Sequence, residues 1–200
     1  MEAIAEHEYA FHFKSGRLCL DLAATVGERW RRRFDRLRTP ADLGRWFAEA
    51  AVLQSAPRVT RTQLEAAREL REAIYRTAKL AGSGVPDARD IEVINRWAAR
   101  PPLAPSLEAD GRTVAWSARR PVEAALATIA RDAIELVTGP LAGRVRECGR
   151  PDCALLFVDT SRPGRRRWCS MNACGNRTKT AAYRRRRRTR QENGDGAPQP

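Results

Sequence analysis

Residues 148–185 read CGRPDCALLFVDTSRPGRRRWCSMNACGNRTKTAAYRR, and the fold of the C-terminal quarter turns on how its cysteines are spaced. Cys148 and Cys153 are separated by four residues, fifteen residues follow, and Cys169 and Cys174 repeat the spacing of four. Only Cys19 lies elsewhere. In a reducing compartment, clustered thiols are better read as metal ligands than as disulfides. Zinc takes four thiolates in a closed tetrahedral site, and such a site is structural because no position is left for water. An iron–sulfur cluster also takes four thiolates. The bland alternative is four ordinary thiols, which would be a liability if exposed in a reducing cytosol. One zinc ion on Cys148, Cys153, Cys169 and Cys174 is the preferred reading.

The chain between the two pairs is suited to bring them together. Leu155–Asp159 and Arg166–Ser170 look like strands, with a turn at Ser161-Arg162-Pro163-Gly164. Phe157 and Trp168 supply the packing that a small unit needs. Asn172 is a candidate cap for a helix that begins near Cys174 and runs into the arginines. Knuckle, hairpin and helix in this order give a treble-clef-like finger.

Charge is concentrated on the same quarter. Residues 144–190 carry 15 Lys/Arg against three acids, a net +12, whereas 1–143 carry only +3. The predominance of arginine over lysine fits a genome-wide bias, but that bias does not explain the clustering. Arg184, Arg185, Arg186, Arg187 and Arg188 are consecutive, so on a helix they point all round the axis and no face can enter a core. The segment is either a solvated tail or bound to a polyanion, and guanidinium pairs with phosphate in a bidentate manner. Arg165, Arg166 and Arg167 flank the same surface. Asn176, Arg177 and Lys179, near the helix start, are the candidate base readers.

Upstream, residues 10–143 read as one mainly helical domain. Phe11–Glu28 gives a short strand or turn and then a buried helix. Thr39-Pro40 opens a helix whose apolar face is Leu43, Trp46, Phe47, Ala50 and Leu53, ended by Pro57. Thr60-x-x-Gln63 or Thr62-x-x-Glu65 boxes the start of a helix through Leu80. Asp87 caps a shorter one with Ile91, Ile94 and Trp97 inward. A hairpin turns at Asp110-Gly111, and Pro121 starts a last helix that Gly139-Pro140 ends. Trp30, Trp46, Trp97 and Trp116 are assigned to the core, as is Cys19. From Gln191 the chain is polar and is expected to be disordered. The fold class is therefore mainly α (α+β), with domains at 10–143 and 144–190 and a tail at 191–200.

Within residues 148–185, Cys174-Gly175-Asn176-Arg177, Phe157-Val158-Asp159-Thr160-Ser161 and Arg167-Trp168-Cys169-Ser170-Met171 closely resemble the CGNR zinc finger. In that family the finger usually follows an ABATE domain, whose opening Gly16-Arg17-Leu18-Cys19-Leu20-Asp21-Leu22 resembles. A family Phe-Val-Asn after the Asp stands here as Leu22-Ala23-Ala24. The resemblance implies a stress-related transcriptional regulator.

No enzyme constellation is visible. His7 and His12 are the only histidines, and no nucleophile-elbow, phosphate-loop or dinucleotide motif occurs. No run approaches the roughly 20 apolar residues of a membrane span. The N-terminus lacks the order of a signal peptide, so the expected location is the cytoplasm. The expectation is a DNA-binding regulator whose helical domain senses a small-molecule effector or mediates assembly as a homodimer. An RNA-binding or ribosome-associated factor and a zinc protein-interaction module stand as alternatives. Scarce exposed aromatics in the basic stretch lean the reading from RNA to DNA.

Overall fold

Capping chemistry decides where the long helices begin. α2 (Pro40–Glu49) and α3 (Arg61–Lys79) each follow a threonine whose hydroxyl accepts a first-turn N–H: Thr39 from Asp42 and Thr60 from Gln63. Asp42 and Gln63 each accept the cap's own N–H in return, closing a capping box. Asp87 caps α4 (Ala88–Ala98), and Pro121 fills the first position of α5 (Pro121–Thr138), where its missing N–H costs nothing. The computed structural model, which describes residues 4–194 of the chain, thus starts four helices where the sequence signals stand.

α3 is the central helix and packs against α1 (Leu18–Ala23), α2, α4 and α5. Leu70 and Ile74 of α3, Leu20 of α1, Trp46 of α2 and Leu126 of α5 are among its fully buried contributors. The short α1 is fixed from α5. The Asp132 carboxylate accepts the Cys19 N–H at 2.8 Å and pairs with Arg17 at 2.7 Å, satisfying an amide that a helix start leaves open. Cys19 itself is fully buried, as expected.

Several local expectations are corrected. α2 stops at Glu49 and not at Pro57, because the chain turns through Ala51 at φ 53°, although Val52 and Leu53 still reach the core. Ile91 is exposed, and Val93 takes the inward position on α4 beside Ile94 and Trp97. Only Trp46 and Trp97 are core tryptophans; Trp30 is 59% and Trp116 47% exposed. Trp30 is at the surface because its indole N–H donates to Glu147 at 2.6 Å.

Three two-stranded ribbons complete the fold. β1 (Val26–Gly27) pairs with β2 (Phe34–Asp35), which the sequence did not announce. Their link passes Glu28 and Arg33 in the left-handed region, and the Phe34 ring lies where a side chain on residue 27 would stand, so Gly27 is required. β3 (Ala104–Leu107) and β4 (Val114–Ser117) form the expected hairpin. The Asp110 carboxylate accepts the N–H groups of Arg112 and Thr113, and Gly111 takes φ 62°.

The third ribbon corrects the finger. β5 (Val145–Glu147) pairs antiparallel with β6 (Leu156–Val158), so the hairpin spans the first cysteine pair and not the fifteen-residue gap; Arg166–Ser170 forms no strand. Val145, Leu156 and Val158 belong to the same core as α1 and α3. A π-helical turn, Met171–Gly175, leads into α6 (Asn176–Gly194). The helix passes Gln191, where the tail was expected to begin; residues 195–200 lie outside the described residues.

This packing sets two different costs. Leu70→Ala should lower stability by about 2–5 kcal/mol through the cavity it leaves. Thr60→Ala, which removes only a cap, should cost about 1 kcal/mol. Urea denaturation with an unchanged slope would read both from the midpoint.

Candidate metal centre and nucleic-acid interface

Each cysteine pair is positioned by a different device. Cys148 follows β5 directly and its N–H donates to the Leu155 carbonyl at 2.9 Å, extending the ribbon by one pair. The chain then loops back through Arg150–Asp152, which form an ion pair, to Cys153, and Ala154 at φ 53° turns it into β6. Gly149 N–H donates to the Arg167 carbonyl at 2.8 Å and ties this knuckle to the second pair.

The second pair depends on a buried aspartate. Asp159 accepts hydrogen bonds from the Ser161 N–H and hydroxyl and from the Arg166 N–H at 2.8 Å, which folds the fifteen-residue gap into a closed loop. The Ser161 hydroxyl foremost, and these amides with it, hold the Asp159 carboxyl below the usual carboxylate range. Arg166 lies over the Phe157 ring and donates to the Trp168 and Cys169 carbonyls, which aims Cys169. Ser170 caps the π turn: its hydroxyl accepts the Ala173 N–H, and its carbonyl accepts the N–H groups of Cys174 and Gly175 at 3.0 Å. The expected cap, Asn172, is exposed and is not the one used. A side chain at Gly175 would meet Met171 Sδ at 2.8 Å.

These devices bring all four sulfurs within 4.8 Å of one another, with Cys153–Cys169 at 3.7 Å and Cys169–Cys174 at 3.5 Å. A tetrahedron with Zn–S bonds of about 2.3 Å has edges of about 3.8 Å. The donor set therefore fits zinc in kind, number and spacing. Thiols this close resist ionising together. A hydrogen bond from Cys153 first favours the Cys148 thiolate, and the Cys153 thiol is pushed up in turn. A dication resolves that conflict. Cys148, Cys169 and Cys174 are buried with Phe157 in a small cluster that Trp168 and Leu155 cover.

The finger is docked on the helical part. Glu147, the residue before Cys148, accepts from Trp30, pairs with Lys79 at 3.0 Å and meets the Tyr75 hydroxyl. Val158 N–H donates to the Ser15 carbonyl at 2.8 Å. Beside this contact a cavity of about 210 Å3 opens between the N-terminal segment, the β1–β2 ribbon and the finger, with His12, Lys14, Arg36, Cys153 and Arg177 in its wall. Burial pushes the His12 imidazole down to about 4, and the charges of Arg36 and Lys14 add to it, so it is neutral at pH 7.

The family models match 16–140 to ABATE, described as "Putative stress-induced transcription regulator", and 144–187 to the CGNR zinc finger. The chain belongs to the ABATE family. No match to a curated protein was found. This ABATE protein carries one structural zinc ion, as its CGNR finger and four-cysteine cluster require. Both matched families are of regulator and zinc-finger kinds.

The candidate nucleic-acid residues divide. Arg165, Arg167, Asn176, Arg177, Lys179, Arg184, Arg187 and Arg188 are exposed. Arg166 is instead half-buried on the finger's own carbonyls. The side chains of Arg185 and Arg186 lie outside the described residues. What the sequence reading missed were the supports: Asp159, Arg166 and Ser170. Asp159-x-Ser161 did carry a signal, since an aspartate that bonds the amide two residues on is a recognised turn. No helix among the described residues is long and apolar enough to cross a membrane.

Cys174→Ser should abolish stoichiometric zinc and loosen the start of α6. Metal analysis of the purified chain, with limited proteolysis after residue 170, reads both. A variant holding one zinc per chain with wild-type resistance would contradict it.

Proposed function

We propose that this ABATE protein is a DNA-binding transcriptional regulator in which Cys148, Cys153, Cys169 and Cys174 hold the zinc and α6 meets the duplex. The observation that carries this is the setting of α6. It leaves the finger just after Cys174 and displays Lys179, Arg184 and Arg187 to solvent. With 19 residues it is about 28 Å long, enough to cross a major groove roughly 12 Å wide. Asn176, Arg177 and Lys179 sit in its first turn, where a helix entered by its N-terminal end reads base edges. Arg165 and Arg167 flank them, and the later arginines, Arg184 to Arg188, contact phosphate and set register without reading sequence.

In this reading 144–190 is the binding unit and 10–143 is a unit for sensing or assembly, taking a small-molecule effector or a second copy. The chain performs no catalysis. RNA is the second reading, favoured by one observation: Tyr183 is 60% exposed among the arginines and could stack on an unpaired base.

Fluorescence anisotropy with a mixed-sequence duplex and a single-stranded RNA of equal length tests the proposal. Duplex binding should weaken by about 10³-fold or more between 50 and 200 mM salt if six or more phosphates are neutralised. Replacing Arg184, Arg187 and Arg188 with alanine should flatten that slope. Salt-independent binding, or binding to RNA alone, would exclude the DNA reading.

A further inference from the structure

Among the described residues three arginines are buried to 6% exposure or less, and they are not treated alike. Arg29 pairs with Glu72 at 2.7 Å. Arg71 grips both oxygens of Asp35, at 2.7 and 2.9 Å. Arg36 has no carboxylate within ion-pair distance. Its Nε and Nη1 donate to the carbonyls of Ala10 and Ala24 at 2.9 and 3.0 Å, which satisfies hydrogen bonds but leaves the charge unbalanced. The nearby acids are committed elsewhere: Asp35 to Arg71, and Glu8 and Glu28 both to Arg32. A guanidinium stays protonated at neutral pH, and a buried charge without a counter-charge is costly.

Arg36, whose guanidinium lies over the Phe34 ring, shares a cavity wall with the finger. It lines the same cavity as Cys153, Cys169 and Cys174. Four thiolates on one zinc make a doubly negative centre, which needs cations beside it. The finger's own Arg150 pairs with Asp152 and also reaches Cys174, so it serves the centre from the finger's side, and Arg36 is the buried cation on the other.

We propose that Arg36, contributed by the helical unit, is the buried counter-cation of the zinc–thiolate centre. It is a positioning residue. The centre balances the charge that Arg36 buries, and Arg36 in turn fixes the Ala10 and Ala24 carbonyls. Metal loading and the seating of residues 10–36 against the finger are then one event. This rests on the four cysteines holding the zinc, and the test separates the two ideas.

The full-length chain is compared with Arg36→Met and Arg36→Lys by zinc competition against a chromophoric chelator and by the thiolate-to-metal band of the cobalt-substituted forms. Losing a group that supports metal ligands typically weakens affinity 10–100-fold, and R36M should do so and move the cobalt band to longer wavelength. R36K should restore most of both. One zinc in the wild type with unchanged affinity in R36M would overturn this proposal alone, whereas a wild type holding no zinc would remove the centre and the proposal with it. Should R36M fail to fold, amide exchange on the chelated wild type decides. Protection should fall at residues 10–12 and 24–36 together with 145–175. Full protection of the former while the latter opens would overturn the coupling.

Discussion

Four sulfur atoms held within 4.8 Å of one another are an unfavourable arrangement until a cation joins them. Much of the C-terminal quarter can be understood as the means of holding them there. The β5–β6 ribbon presents one pair at its tip, the Asp159 loop swings the second pair across, and the Ser170 turn places the last cysteine on the first turn of a helix. No single one of these pieces has a core of its own worth the name. Among the described residues Phe157 is the only large apolar side chain fully buried against the sulfurs. A small unit with so little apolar burial needs a metal to be stable.

The helical part could be read from the sequence because its signals are local. Thr39, Thr60, Asp87 and Pro121 act on the amides next to them, so caps written in the chain became caps in the fold. What stayed hidden depends on partners far along the chain. Asp132 holds the start of α1 across more than a hundred residues, and Glu147 draws Trp30 to the surface from a similar distance. Neither alliance has a spacing that a periodicity could reveal. The finger shows the same split. The cysteines were legible, because their chemistry needs only their number and grouping. Their hairpin was misplaced, because the pairing of 145–147 with 156–158 is decided by apolar contact with α1 and α3. The stretch 166–170 has strand-like composition but spends the Arg166 N–H and side chain on loop closure.

Finger and helical unit are consequently less separate than their sequence boundary suggests. Val145, Leu156 and Val158 lie in the larger core, while the sulfurs a few residues away lie in their own. The β5–β6 ribbon thus has one face in the larger core and Phe157, on the other face, among the sulfurs. α1 and α3 pack directly against this ribbon.

The π turn at Met171–Gly175 has a mechanical meaning. It is the fulcrum from which α6 is hung, held by bonds to the carbonyl and hydroxyl of Ser170 and by Thr178 on the Cys174 carbonyl. A rod about 28 Å long pivoting there by roughly 10° sweeps its far end through about 5 Å, close to one helical pitch. Small tilts at the turn would therefore carry the arginine-bearing end several times further than the turn itself moves. The finger acts as the clamp of a lever, and its stiffness sets how finely the lever is aimed.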